Sequence, residues 1–116
     1  MKATELMIGD KVMVKVLSQI PDTYVLHTWT ANDYSRVLQV KPIPLTPEIL
    51  EKNGWKEAEY WHEYQDGENI IQCCLPDMRG RINGIEFENF KCEYVHQYQH
   101  LLRLCGLNEL ADNFKV

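Results

Sequence analysis

Hydrophobic and polar positions alternate with a period of two over the first forty residues. In LMIGDKVMVKV, residues 6 to 16, Val12, Val14 and Val16 alternate with Lys11, Met13 and Lys15 after a Gly9-Asp10 turn signal. That is the pattern of a half-buried strand. Pro21-Asp22 marks a turn, Thr23 to Thr30 (TYVLHTWT) is rich in β-branched and aromatic residues, and Ala31-Asn32-Asp33 breaks it before a third run, Arg36 to Val40. An antiparallel, strand-rich segment over 6–40 follows, with closure into a small barrel left open.

The period then changes. Pro42 and Pro44 make an extended connector, and Thr46-Pro47-Glu48 is a helix start: an N-cap hydroxyl, a proline at the first turn and an acid at the positive helix end. Asn53-Gly54 ends this short helix, so 41–55 reads as connector plus helix, with the helix over 46–53. Glu59 to Gln65 and Asn69 to Leu75 flank the hairpin signal Asp66-Gly67. Pro76 to Gly80 reads as a longer turn and Ile82 to Phe90 as a further strand, which makes 59–90 a β-meander. From 94 to 105 the period becomes helical. Tyr94, Val95, Tyr98, Leu101, Leu102 and Cys105 fall within an arc of about 120°, and Gly106 terminates the helix. The expected architecture is therefore one α+β domain over 1–116, with a C-terminal amphipathic helix.

On this helix His96, Gln99, His100 and Arg103 occupy the side opposite the apolar stripe and are expected to face solvent or a partner. Truncating Arg103 would then be near neutral and truncating Tyr98 costly. The aromatic cluster Tyr60, Trp61 and Tyr64 is a second candidate surface. Alternation sends Tyr60, His62 and Tyr64 to one face and Trp61, Glu63 and Gln65 to the other, and aromatic and Arg side chains are enriched at interfaces. His96, Gln99, His100, Arg103 and Trp61 are accordingly the candidate partner-binding residues.

Composition narrows the function class. With 116 residues, 45% apolar and 25% charged, the chain is of ordinary single-domain make-up. Its 17 acidic and 12 basic residues give a net charge of −5, and the basic residues are scattered singly along the chain, which disfavours nucleic-acid binding. No run of about 20 apolar residues is present for a membrane span, and the N-terminus carries no apolar leader. A cytoplasmic protein with four reduced cysteines is expected, without a CxxC pair and without cofactor. Adjacent Cys73 and Cys74 should point to opposite faces of a strand.

Catalytic and metal signals are sparse. His96 and His100 stand one helical turn apart, a chelating spacing, but Arg103 shares their side and repels cations. A third ligand would have to come from His62, Glu63 or Asp66. No stoichiometric metal is expected. HEYQD, residues 62 to 66, approaches the HExxH zinc signature but has Asp66 where the second histidine belongs, and its alternation is that of a strand. Cys92 precedes His96 by four residues, which supplies the alternative reading: a small metal-dependent or Cys/His enzyme using Cys92, His96 and His100.

Three segments together resemble a known group. ELMIGDKV (5–12), PIPLTPEILEKNGW (42–55) and YVHQYQHLLRL (94–104) are similar in order and spacing to a family of small uncharacterised proteins of Bacteroidetes, their phages and mobile elements. Members of that family carry a central "IPLTEEWLLKFGF" and a closing "YVHQLQNLYFAL". His96, Gln97 and Gln99 match the family pattern, whereas Pro47, Tyr98 and His100 depart from it. The resemblance implies a lineage and a fold class. With the features above, it leads to the expectation of a non-enzymatic protein-interaction module with a phage or mobile-element background.

Overall fold

The computed structural model describes residues 5–16, 24–35 and 38–116. The expected turn at Pro21-Asp22 and the start of the third strand at Arg36 lie outside them. The chain is α+β, with two antiparallel sheets and, among the described residues, no closed barrel. In the first sheet β1 (Lys11–Val16) is central between β2 (Val25–Thr28) and β3 (Leu38–Lys41). As alternation requires, Val12 and Val14 turn inward and close a small core with Leu6, Trp29 and half-buried Val40. The segment after β2 folds into a 3-10 turn, Ala31–Ser35. There the buried carboxylate of Asp33 accepts from the Thr30 backbone N–H and hydroxyl, both at 2.8 Å.

The connector leads into α1 (Pro47–Lys52), whose start is the expected one. Thr46 Oγ1 accepts the Ile49 N–H at 3.3 Å, and Pro47 occupies the first turn. The second sheet has the order β4-β5-β6-β7-β8: β4 (Lys56–Glu57), β5 (His62–Asp66), β6 (Asn69–Cys74), β7 (Asp77–Ile82) and β8 (Ile85–Lys91). Two local expectations change here. Pro76–Gly80 is not a long turn: Leu75-Pro76 makes a tight one and β7 begins at Asp77. Asn83-Gly84, expected within a strand, is the β7–β8 turn, with both residues at positive φ (50° and 80°). Gly80 sits where a Cβ would lie 2.1 Å from the Ile70 carbonyl oxygen, so only glycine lets β7 approach β6 there.

α2 (Val95–Leu104) and α3 (Asn108–Asp112) close the chain, and α3 has no counterpart among the sequence expectations. The Gln97 side-chain oxygen accepts the backbone N–H groups of Glu93 (2.8 Å) and Tyr94 (3.0 Å), which starts α2. The connector pairs with this start, Val95 N–H donating to Ile43 C=O at 2.8 Å and Leu45 N–H to Glu93 C=O at 2.9 Å. Val95, Tyr98, Leu101, Leu102 and Cys105 are buried as the apolar stripe requires, and they join Leu50, Trp55, Ile71, Met78 and Ile82 in the main core. The indole N–H of Trp55 donates to Tyr98 OH at 3.3 Å within that core.

The helices therefore cover one face of the second sheet. Its other face carries cross-strand polar rows, Glu63–Gln72–Arg79 among them, linked by hydrogen bonds of 3.1 Å each.

Candidate functional site

The polar side of α2 was expected to be open, and it is not. Gln99 is fully buried and His96 is 6% exposed. The side chains of His100 and Arg103 keep only 24% and 13% of their accessible surface. The reason lies 90 residues away in sequence. The Gly9-Asp10 turn and the start of β1 pack onto this side, so α2 is sandwiched between the main core and the first sheet.

Asp10 is the centre of that contact and is completely buried. Its Oδ2 accepts from His100 Nε2 at 2.6 Å and from the Met7 N–H at 2.8 Å, and its Oδ1 from Arg103 Nη1 at 2.5 Å. Burial alone would raise its carboxyl pKa. The His100, Met7 and Arg103 hydrogen bonds outweigh burial and hold it below the ordinary carboxylate value. Arg103 Nη2 also reaches Asp112 Oδ1 at 3.5 Å. Gly9, at φ 95°, lies under this guanidinium: a Cβ there would come within 2.8 Å of both Arg103 Nη2 and Asp112 Oδ1.

Gln99 completes the junction. Its Oε1 accepts the Lys11 N–H at 2.8 Å, and its Nε2 donates to the carbonyls of Gly9 (3.0 Å) and Ala111 (2.9 Å). One buried amide thus ties β1, α2 and α3 together with every polar atom used. His96 differs. It stacks on Tyr94 at 6.0 Å and meets His100 edge-on at 5.6 Å, and its buried Nδ1 has no hydrogen-bond partner. Burial lowers its pKa, which favours the neutral ring.

The residues of the metal and Cys/His alternatives are placed as follows. His96 and His100 do not converge with a third ligand among the described residues, and His100 Nε2 is committed to Asp10. Cys92 is fully buried and burial pushes its thiol pKa up to about 12, so it is not a ready thiolate. Cys73 is buried and likewise raised to about 12, while Cys74 is exposed, the opposite facing that adjacency in a strand demands.

Trp61 is elsewhere. It lies one residue before β5, on the side of the second sheet that the helices leave bare. With Tyr60, Gln72, Cys74, Arg79 and Asn89 it lines a groove of about 270 Å³. Tyr60 is 74% exposed, and the half-buried Trp61 has an indole N–H without a partner. Trp61 and the polar cluster of α2 therefore belong to different parts of the fold, the one beside β6 and β7, the other against Asp10 and β1. His62 turns the other way and meets Glu51 Oε1 at 3.3 Å rather than approaching His96. The residue that sequence reasoning missed is Asp10. Its only signal was its place in a turn dipeptide, which carries no information about a partner 90 residues on.

Comparisons with protein-family models, with curated proteins and with solved structures return no match. What is established is an α+β fold of two antiparallel sheets in which, among the described residues, no helix is long and apolar enough to cross a membrane.

Proposed function

We propose that this chain is a small protein-interaction module that acts without catalysis, in the phage or mobile-element setting that its resemblance implies. The observation that carries the reading is the bare face of the second sheet. Exposed Tyr60 and half-buried Trp61 border a groove there, with Arg79 on its wall. Trp, Tyr and Arg are enriched at binding hot spots, and the two rings bring large, rigid contact area at low entropic cost. The conspicuous polar residues of α2, by contrast, are spent on joining the two halves of the fold. The candidate interface accordingly shifts from His96, Gln99, His100 and Arg103 to Trp61 and its neighbours.

The test is capture from host lysate on immobilised wild-type protein and on three surface variants. A specific partner should be retained by wild type and by Leu104→Ala, an exposed site on α2. It should be lost with Tyr60→Ala and Arg79→Ala. A partner indifferent to both of those substitutions but lost with Leu104→Ala would place the interface on the helical side and overturn the assignment.

A further inference from the structure

A second cluster lies where α1 meets the short β4–β5 ribbon, next to the Tyr60–Trp61 turn that borders both grooves. Glu57 and His62 are directly opposed across the antiparallel pair, so their side chains leave the same face side by side. Glu51, in the last turn of α1, comes over them, and the three ligand atoms lie within 4.8 Å of one another. Each donor comes from a different element, and each position is set by backbone pairing rather than by a flexible loop.

Among the described residues no lysine or arginine compensates this cluster. Two carboxylates converge near the C-terminal end of α1, which is itself the negative end of a helix dipole. Lys52 and Lys56 adjoin them in sequence. Yet among the described residues neither Glu51 nor Glu57 forms an ion pair with any Lys or Arg, and the one partner is His62 at 3.3 Å. Neighbouring carboxylates repel one another unless positive charge compensates them. A groove of about 320 Å³ opens alongside, with Glu57 and His62 in its wall.

We propose that Glu51, Glu57 and His62 bind one divalent transition-metal ion, with the groove side of the ion left to water or an exogenous ligand. One imidazole and two carboxylates form a donor set suited to zinc, and also to iron(II) or cobalt(II), rather than to a soft thiolate metal. Three protein ligands plus an open position is the arrangement of accessible zinc sites, as distinct from closed structural ones. Ligation would bridge α1 to β4 and β5, so metal should raise the stability of the whole chain.

Zinc chloride is titrated into metal-stripped protein by calorimetry, with thermal unfolding and the cobalt(II) visible spectrum as parallel readouts. The expected result is one ion per chain, a rise in melting temperature with zinc, and a cobalt spectrum that zinc abolishes. His62→Ala and Glu57→Gln should each weaken zinc by at least the roughly 10–100-fold that loss of a mere outer-shell partner costs. His96→Ala should leave affinity unchanged. Glu51→Gln, at an exposed side chain, serves if either of the first two fails to fold. Absence of saturable binding in wild type, or binding that survives His62→Ala and Glu57→Gln, or that is lost with His96→Ala, overturns the proposal.

Discussion

Replacing Asp10 by Asn keeps the shape of the side chain and removes its charge, which makes it the sharpest probe of how the two halves of this protein are joined. In the native chain three donors converge on one carboxylate: His100 Nε2 at 2.6 Å, Met7 N–H at 2.8 Å and Arg103 Nη1 at 2.5 Å. An asparagine must turn its amide NH₂ toward one side or the other. Toward Arg103, donor meets donor beside a guanidinium that is nearly buried. Toward His100, the imidazole can change tautomer and accept, but the Met7 N–H is left unpaired. Hydrogen bonds to charged groups contribute about 1.5–3 kcal/mol each, and breaking a buried ion pair costs about 3–5 kcal/mol. The tautomeric escape places Asp10→Asn at the lower end, about 3 kcal/mol. With an unfolding entropy of about 2.1 cal/mol/K per residue, that corresponds to a fall of roughly 12 °C in melting temperature. The pH dependence has a definite sign. The Asp10 carboxyl is depressed in the fold, so its contribution is complete above the unfolded value near 3.8 and is lost as pH falls through the lower folded value. Urea unfolding at pH 7 should show the full difference, and the gap between wild type and variant should narrow only below about pH 4. A variant within about 0.5 kcal/mol of wild type at pH 7, as for a surface substitution, or a gap that widens on acidification, refutes the reasoning.

Further outcomes are expected. Arg103→Ala, which a solvent-facing helix side would leave neutral, should cost about 2–3 kcal/mol in the same assay, because it strips a charged donor from a buried acid. Tyr98→Ala should cost about 3–5 kcal/mol, as for a large ring truncated in a filled core. A value under 1 kcal/mol would mean that the ring is not where the packing places it. The His96 pKa is lowered by burial, so the unfolded chain takes up a proton that the fold resists. Stability should therefore decline as pH drops below about 6.5, and His96→Phe should flatten that slope; equal slopes would contradict the burial of the ring. In native protein a thiol reagent should modify one cysteine quickly, and Cys74→Ser should abolish that reaction, since Cys73, Cys92 and Cys105 are buried with raised pKa values.

Local chemistry alone determined a good deal of this protein. Val12 and Val14 alternate with Lys11, Met13 and Lys15 and point inward, Thr46-Pro47 starts α1, Asp66-Gly67 turns a hairpin, and Tyr98, Leu101 and Leu102 bury the stripe of α2. In each case the decisive interaction spans a few residues, so the period or the dipeptide contains it. β7 was misread because Pro76 and Gly80 are turn residues by propensity. There Gly80 serves instead to let two strands approach, a role visible only once β6 is alongside. The polar side of α2 was misread for a related reason. Histidine, glutamine and arginine at helical spacing look the same on a solvated face as in a satisfied buried junction. What distinguishes the two is whether an acceptor such as Asp10 arrives from elsewhere in the chain. Likewise Glu51, Glu57 and His62 are unremarkable until a helix end and a strand pair bring them within 4.8 Å. Tertiary structure decided these sites because charge and hydrogen bonding act through space, and hydrophobic periodicity records only which side of an element is apolar, not what packs against the other.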